Sequence, residues 1–290
     1  MKVLVSGATG NVGAEVVNKL HKGGAEVRAL ARKPEAARFP AGVEVVPGDL
    51  MHPESIRAAL RGVDKLFLLN AVVADELTQA LITYGIAKRS DIKHLTYVSI
   101  YKADRFRDVP HFASKVAVEN ALHEFGVPYT ILRPGYFFQN DLTLKPLLQQ
   151  MGIYPMPIGT AGISAIDSRD VSEAAAVTLL EHGHEGRTYN LVSSSQISGP
   201  GNAALWSKAL GKEIFYTGHD FEAWEKQMSK QLPGWMAYDM RAMLEGYVER
   251  GFASTETEVS RVAKLLGHPP RTYEAFVAET VADWSKSEQR

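Results

Sequence analysis

Short apolar runs alternate with amphipathic stretches through the first half of the chain. The apolar runs are rich in valine, leucine and isoleucine and end at turn or charged residues, as expected of strands. These predicted strands cover residues 2–7, 25–32, 43–50, 65–70, 94–100 and 129–135. Between them, apolar residues recur at helical spacing in segments that include 14–22, 53–60 and 74–88. The alternation predicts an α/β fold of the Rossmann type, a doubly wound parallel sheet with helices on both faces.

The pattern changes after Gly135. Residues 136–160 carry aromatic residues, prolines and glycines without a clear period, which indicates loop and irregular helix. A strand and a helix follow, then a strand at 187–192, and the remainder reads as mostly helical. We therefore predict a nucleotide-binding Rossmann domain formed by 1–135 and about 161–195. A smaller, mostly helical lobe that binds substrate would contain about 136–160 and 196–290.

Composition and charge exclude several classes of function. The 290 residues carry 32 basic and 33 acidic side chains, so a net charge of -1 gives no overall attraction to nucleic acid or an anionic membrane. The absence of cysteine excludes disulfides, thiolate metal sites and cysteine nucleophiles. No apolar segment approaches the roughly 20 residues of a membrane span, and the amino terminus resembles a strand rather than a signal peptide. We expect a cytoplasmic protein without a metal ion.

The turn after the first predicted strand is a candidate phosphate-binding loop. The segment SGATGNVG, residues 6–13, has glycines in a GxxGxxG spacing. Glycine permits a tight turn and lets the N–H groups of a helix terminus approach a diphosphate. Because glycine-rich turns are common, the position after a strand is what favours a dinucleotide site over a plain turn. The predicted contacts come from Gly7, Thr9, Gly10, Asn11, Val12 and Gly13.

The end of the second predicted strand favours NADP(H) over NAD. An NAD site usually has an acidic side chain there, whereas this chain has Arg32 and Lys33. A guanidinium can bind a 2′-phosphate through paired hydrogen bonds; the alternative is that both residues only solvate a strand end. Asp49 and Leu50, after the third strand, are candidates for contact with the adenine. Alternatively, Asp49 merely terminates the strand.

Motifs that stand out along nearly the whole chain are GATGNVG, VRALARKPE, GDL, HFASKVAVENAL, YTILRPGYFFQN, IDSRDVSEAAA and LGHPPRTYEAFVAE. Together they resemble the NmrA-like family, an atypical branch of the short-chain dehydrogenase/reductase superfamily. The family includes NADPH-dependent reductases of quinones and dyes, and redox sensors that bind the dinucleotide and regulate other proteins. The resemblance implies an oxidoreductase that transfers hydride from NADPH to a quinone-like or other flat carbonyl acceptor. The alternative is a non-catalytic NADP(H) sensor with a regulatory protein partner, and a homodimer is compatible with either.

The resemblance also nominates catalytic residues. Active members of the superfamily use a Ser, a Tyr that protonates the carbonyl oxygen, and a Lys four residues later that holds the nicotinamide ribose. Ser99 and Lys115 match this set, but His111 stands at the Tyr position. The spacing puts His111 and Lys115 on one helix face, and an imidazole can donate a proton near neutrality. The alternatives are a helix-start histidine without a catalytic task and a solvated ion pair between Lys115 and Glu119.

The missing tyrosine argues against alcohol dehydrogenation more than against quinone reduction, because a phenolate is a far weaker base than an alkoxide. Asn70, after the fourth strand, is expected beside the cofactor ribose. Pro134 and Gly135 would let the backbone pass close to the nicotinamide. An aromatic wall for a flat acceptor could be formed by Tyr136, Phe137 and Phe138, with ordinary core packing as the alternative for Phe137 or Phe138. Tyr101 is also expected at the acceptor, where it or water could complete the protonation.

Overall fold

The alternation of strands and helices expected from the sequence is present in the computed structural model, which describes residues 1–288. The chain forms two compact units: the first contains Met1–Arg133 and Ser168–Asn190, and the second contains Pro134–Asp167 and the residues from Leu191 onward. The strands are β1 (Lys2–Val5), β2 (Glu26–Ala31), β3 (Glu44–Pro47), β4 (Lys65–Leu68), β5 (His94–Val98), β6 (Tyr129–Pro134), β7 (Tyr136–Phe137), β8 (Ile153–Tyr154), β9 (Ile163–Ile166), β10 (Arg187–Leu191), β11 (Gln196–Ile197) and β12 (Phe215–Tyr216). The helices are α1 (Asn11–Lys22), α2 (Pro53–Leu60), α3 (Glu76–Ala87), α4 (Pro110–Phe125), α5 (Ser168–Leu180), α6 (Gly199–Leu210), α7 (Phe221–Met228), α8 (Gly234–Arg250), α9 (Glu256–Leu266) and α10 (Tyr273–Glu288).

The first unit is built on one seven-stranded sheet with the order β10-β6-β5-β4-β1-β2-β3. The pairs β1–β2, β1–β4, β2–β3, β4–β5 and β5–β6 are parallel. Chain order reverses at β1, which lies between β2 and β4. In open α/β sheets, ligands bind outside the carboxyl ends of the strands at such a switch point. The prediction of a doubly wound parallel sheet is confirmed.

Helices flank this sheet, which is why β4 and β5 are buried along their whole length. Apolar side chains of α2, α3 and α4 pack with Leu4, Leu66 and Leu95 in one continuous core. Helix α1 packs against α5, where the hydroxyl of Ser172 donates to the carbonyl oxygen of Val12 at 3.1 Å. This contact fixes the start of α1, and with it the loop that precedes the helix.

The second unit combines small sheets with helices α6–α10. Strand β9 pairs with β7 in parallel and with β11 antiparallel, and β8 pairs with β12 in parallel. A buried carboxylate, Asp141, accepts hydrogen bonds from the hydroxyl groups of Tyr154, at 3.0 Å, and Tyr273. Burial raises the pKa of Asp141 to about 6 although these donors oppose the shift. The segment predicted to be irregular contains a 3-10 helix at Phe138–Leu144 and a π-helical turn at Leu147–Met151.

The bounds of the two units differ from those of the predicted domains by a few residues. The chain leaves the first unit after Arg133 and returns to it for Ser168–Asn190, whereas the prediction placed the return at about 161–195. The assignment of one unit to the cofactor and the other to the substrate stays a prediction. Among the described residues, no helix is both long and apolar enough to cross a membrane.

Candidate functional site

The loop between β1 and α1 requires glycine at two positions. Gly7 has a φ of 61°, in the left-handed region that other residues rarely adopt. A Cβ on Gly13 would lie 2.1 Å from the carbonyl oxygen of Gly7, because the first turn of α1 packs directly on the loop backbone. The N–H of Gly10 donates to the same oxygen at 3.0 Å. The glycines therefore close a tight turn between strand and helix.

The amino end of α1 fits an anion. Its N-cap is Gly10, which has no side chain to cap the helix, and among the described residues its first turn has no acidic member. The leading N–H groups of a helix have no carbonyl partner within it, and the helix dipole adds positive potential there. Thr9, Gly10 and Asn11 are exposed, whereas Val12 and Gly13 are buried and can offer only backbone atoms. This arrangement is suited to a diphosphate.

The ends of β2 and β3 carry the residues expected at the adenosine side. Arg32 and Lys33 directly follow β2 and are exposed. Asp49 Oδ1 accepts a hydrogen bond from the N–H of Met51 at 2.8 Å, so this side chain shapes the turn before α2. Leu50 is half-buried and packs against the core of the first unit. This bond gives Asp49 a structural role, its contact with the adenine stays a prediction, and Arg32 and Lys33 are two exposed cations at this edge.

The carboxyl ends of β4 and β5 meet at one edge of the sheet. Leu68 pairs in register with Tyr97, so Asn70 and Ser99, each two residues further on, leave the sheet side by side. Asn70 Oδ1 and Ser99 Oγ are buried and have no hydrogen-bond partner among the described residues. Buried polar atoms are nearly always hydrogen-bonded. Two unpartnered atoms at this edge are therefore typical of a site that a ligand completes.

Helix α4 places His111 and Lys115 one turn apart on its buried side, with exposed fractions of only 6% and 3%. The Nζ of Lys115 lies 2.5 Å from Oε1 of Glu76, the first residue of α3. The same nitrogen lies 5.3 Å from the centre of the Tyr97 ring. The alternative of a solvated ion pair between Lys115 and Glu119 is therefore wrong.

Glu119 pairs instead with Arg133 on β6. The Nε of Arg133 donates to Oε1 of Glu119 at 2.8 Å, and its Nη2 contacts Oε2, so the pair is bidentate. The hydrogen bonds from Arg133 to this carboxylate raise the pKa of the guanidinium. Burial raises the pKa of Tyr97 well above its ordinary value, and the carboxylates of Glu76 and Glu119 add to the rise. Tyr97 is therefore a neutral phenol at physiological pH.

The turn after Ser99 contains a residue in an unfavourable backbone conformation. Lys102 has a φ of 53°, in a region that a lysine rarely adopts. The preceding residue, Tyr101, is 1% exposed. Tyr101 is thus as buried as Ser99, and its contact with an acceptor stays a prediction.

The other residues expected near the acceptor belong to the second unit and are largely interior. Pro134 and Gly135 are buried, and a Cβ on Gly135 would lie 2.7 Å from a backbone oxygen of β9. Phe138 is fully buried and packs edge-on against an aromatic ring of α10. Tyr136 is also buried, and burial raises its pKa. Phe137 is half-buried and keeps the largest exposed fraction of the three consecutive aromatic residues.

The sequence carries no sign that Glu76 and Tyr97 belong to this arrangement. An acid at a helix start is ordinary, because the helix dipole favours it, and Tyr97 stands within an apolar strand. Their contacts with Lys115 depend on α3 lying beside α4, which no local pattern specifies. A carboxylate in the first turn of the helix that follows β4 is the sequence feature that could have pointed to Glu76.

Several known proteins of similar sequence and structure are reductases. The chain is 31% identical over 279 residues to an NAD(P)H azoreductase of Xenophilus azovorans, covering 94% of this chain and 96% of the relative. Its structure resembles the NADPH-dependent quinone oxidoreductase of Escherichia coli complexed with NADPH, with a TM-score of 0.85, 27% identity and coverage of 98% and 99%. It also resembles the Citrobacter sp. triphenylmethane reductase complexed with NADP(H), with a TM-score of 0.84, 26% identity and coverage of 97% and 100%. The model of the NmrA-like family matches residues 1–277, and the chain therefore belongs to the NmrA-like family.

Proposed function

We propose that this chain is an NADPH-dependent oxidoreductase that transfers hydride to a quinone-like or other flat carbonyl acceptor. The observation that carries the proposal is the burial of Lys115 next to the carboxyl edge of β4 and β5, where Asn70 and Ser99 have unpartnered polar atoms. A lysine is among the least often buried residues unless it has a specific role or partner. Membership of a family whose members include quinone and dye reductases supports the same function.

The residues of the first unit fit NADP(H). The backbone of the loop from Gly7 to Gly13 would hold the diphosphate at the amino end of α1. Arg32, with Lys33, would bind the 2′-phosphate, because both cations are exposed at the end of β2. Asn70 and Lys115 would bind the nicotinamide ribose. When bound, NADPH supplies the hydride.

Reduction of a quinone to a hydroquinone consumes one hydride and one proton, and the chain's residues would supply the proton and orient the acceptor. Ser99 offers a buried hydroxyl without a partner among the described residues, so it can donate a hydrogen bond to an acceptor oxygen. Tyr97 stays protonated because of its raised pKa and cannot act as a base. His111 is the second candidate proton donor. A hydroquinone anion is a weak base, so hydrogen bonds can stabilise it in the site until a protonated imidazole or water supplies the proton.

The second unit would bind the acceptor, with Phe137 as the aromatic residue best able to contact a flat ring. Tyr101, Tyr136 and Phe138 would support it from the interior. The non-catalytic sensor is less favoured, because the three relatives described above carry the names of reductases.

The proposal is tested by titrating the purified protein with NADPH and NADH and then measuring the loss of NADPH absorbance with a panel of quinones and azo dyes. We expect NADPH to bind more tightly than NADH, and at least one acceptor to oxidise it catalytically. Tight NADPH binding without oxidation by any acceptor would overturn the proposed oxidoreductase activity and favour the non-catalytic sensor. If neither dinucleotide binds, both proposed functions are overturned.

A further inference from the structure

A buried carboxylate that the sequence did not nominate lies against Lys115. Glu76 is 2% exposed, and its Oε1 lies 2.5 Å from the Nζ of Lys115. Neither oxygen of this carboxylate has an aligned hydrogen-bond donor among the described residues. Burying two charges is costly, and a pair that serves stability normally has further hydrogen bonds that satisfy its remaining atoms. The burial of this ion pair is therefore not explained by a gain in stability.

A second ion pair in the same unit provides the contrast. Glu119 receives two hydrogen bonds from Arg133, and the Arg133 side chain is 25% exposed. Its charges are thus satisfied by each other and by solvent, as expected of a structural pair. The pair of Glu76 and Lys115 lacks both the paired hydrogen bonds and the solvent exposure, since the side chains are only 3% and 4% exposed.

We propose that Glu76 is a positioning residue for Lys115: it holds the ammonium against the Tyr97 ring and cancels its charge, so that the cation formed when the bound cofactor is oxidised does not face an uncompensated ammonium. The inference rests on the proposed role of Lys115 at the nicotinamide ribose. Two contacts fix the ammonium of Lys115: its Nζ lies 2.5 Å from Oε1 of Glu76 and, over the face of the Tyr97 ring, 5.3 Å from the ring centre.

The charge argument follows from the chemistry of hydride transfer. Loss of a hydride makes the nicotinamide ring more positive by one unit, so a lone ammonium near the ribose would disfavour the oxidised cofactor. Glu76 makes the pair neutral overall and removes that penalty. At an intermediate effective dielectric, one unit charge several ångströms away changes a binding constant by about tenfold.

The test compares the dissociation constants of NADP⁺ and NADPH, measured by calorimetric titration, in four variants. Glu76→Gln leaves a positive charge, and we expect the ratio of the NADP⁺ constant to the NADPH constant to rise by about tenfold. Lys115→Met leaves a negative charge, and the ratio should fall. The double variant Glu76→Gln/Lys115→Met is neutral and should return close to the wild-type ratio. Glu119→Gln is the matched control, and its ratio should change by less than about twofold because the partly exposed Arg133 is screened by solvent.

The sign of the change separates a charge effect from a structural one, since a loosened site weakens both forms of the cofactor alike. If Glu76→Gln does not fold, the step from Lys115→Met to the double variant must still raise the ratio. Equal ratios in all folded variants would overturn the inference while leaving the proposed function intact. Failure of the wild-type protein to bind either form of the cofactor would instead overturn the proposed function.

Discussion

The carbonyl oxygen of Gly7 lies 2.1 Å from the position that a Cβ on Gly13 would occupy. Gly13→Ala must therefore displace the backbone of the loop. We expect a loss of about 2 kcal/mol in the free energy of unfolding and a large loss of NADPH affinity, measured by urea denaturation and by titration. Gly10→Ala is the control for stability, because its Cβ would lie 3.4 Å from the same oxygen, an ordinary contact. Equal stability of Gly13→Ala and the wild type would show that the loop is not as tight as described.

Arg32 is the exposed cation expected to recognise the 2′-phosphate. Arg32→Ala should weaken NADPH binding by about tenfold or more, the size expected for lost hydrogen bonds to a charged group. NADH, which lacks this phosphate, should bind nearly as before. Arg38→Ala removes another exposed arginine of the same segment and is the control. An equal loss of affinity for both dinucleotides would contradict the assignment.

The parallel sheet and the glycine loop could be predicted from the sequence because both depend on local patterns. The periods of 2 and 3.6 residues specify strands and helices, and a GxxGxxG spacing after a strand specifies its turn. The burial of Lys115 could not be predicted in this way. Its partner, Glu76, is 39 positions away by residue number and meets it only because α3 and α4 pack side by side. Spacing within α4 suggested Glu119 instead, and the sequence could not show that Arg133 already binds that carboxylate.

His94 should make the protein less stable in acid. Its Nε2 lies 2.9 Å from Oγ1 of Thr130, which donates to the carbonyl oxygen of His184 and therefore accepts from the imidazole. Burial is the main cause that lowers the pKa of His94 from 6.5 to about 4. The unfolded chain binds the proton first as pH falls, so this contribution is complete above pH 6.5 and is lost progressively down to about 4.

The expected loss from His94 is about 3 kcal/mol across that window. It is measured by urea unfolding at a series of pH values. His94→Gln should reduce the acid-dependent loss, whereas the control His182→Gln, at an exposed position, should keep it. Identical pH profiles for His94→Gln and the wild type would contradict the prediction.

Asp141 should give the stability a pH dependence opposite to that from His94. Burial raises its pKa from 3.8 to about 6, so the native protein keeps the proton at a pH where the unfolded chain has lost it. The contribution of Asp141 to stability therefore falls by about 3 kcal/mol as pH rises from about 4 to 6. In Asp141→Asn this dependence should disappear, while the control Asp91→Asn, at an exposed position, should retain it. A constant difference in stability between Asp141→Asn and the wild type across this window would refute the assignment.

The most direct test of the central claim is the rate of NADPH oxidation by a quinone, measured for the wild type, Lys115→Met and the exposed-lysine control Lys22→Met. We predict acceptor-dependent turnover by the wild type and by Lys22→Met, and a rate about 100-fold lower for folded Lys115→Met. Turnover by Lys115→Met at the wild-type rate would contradict the account.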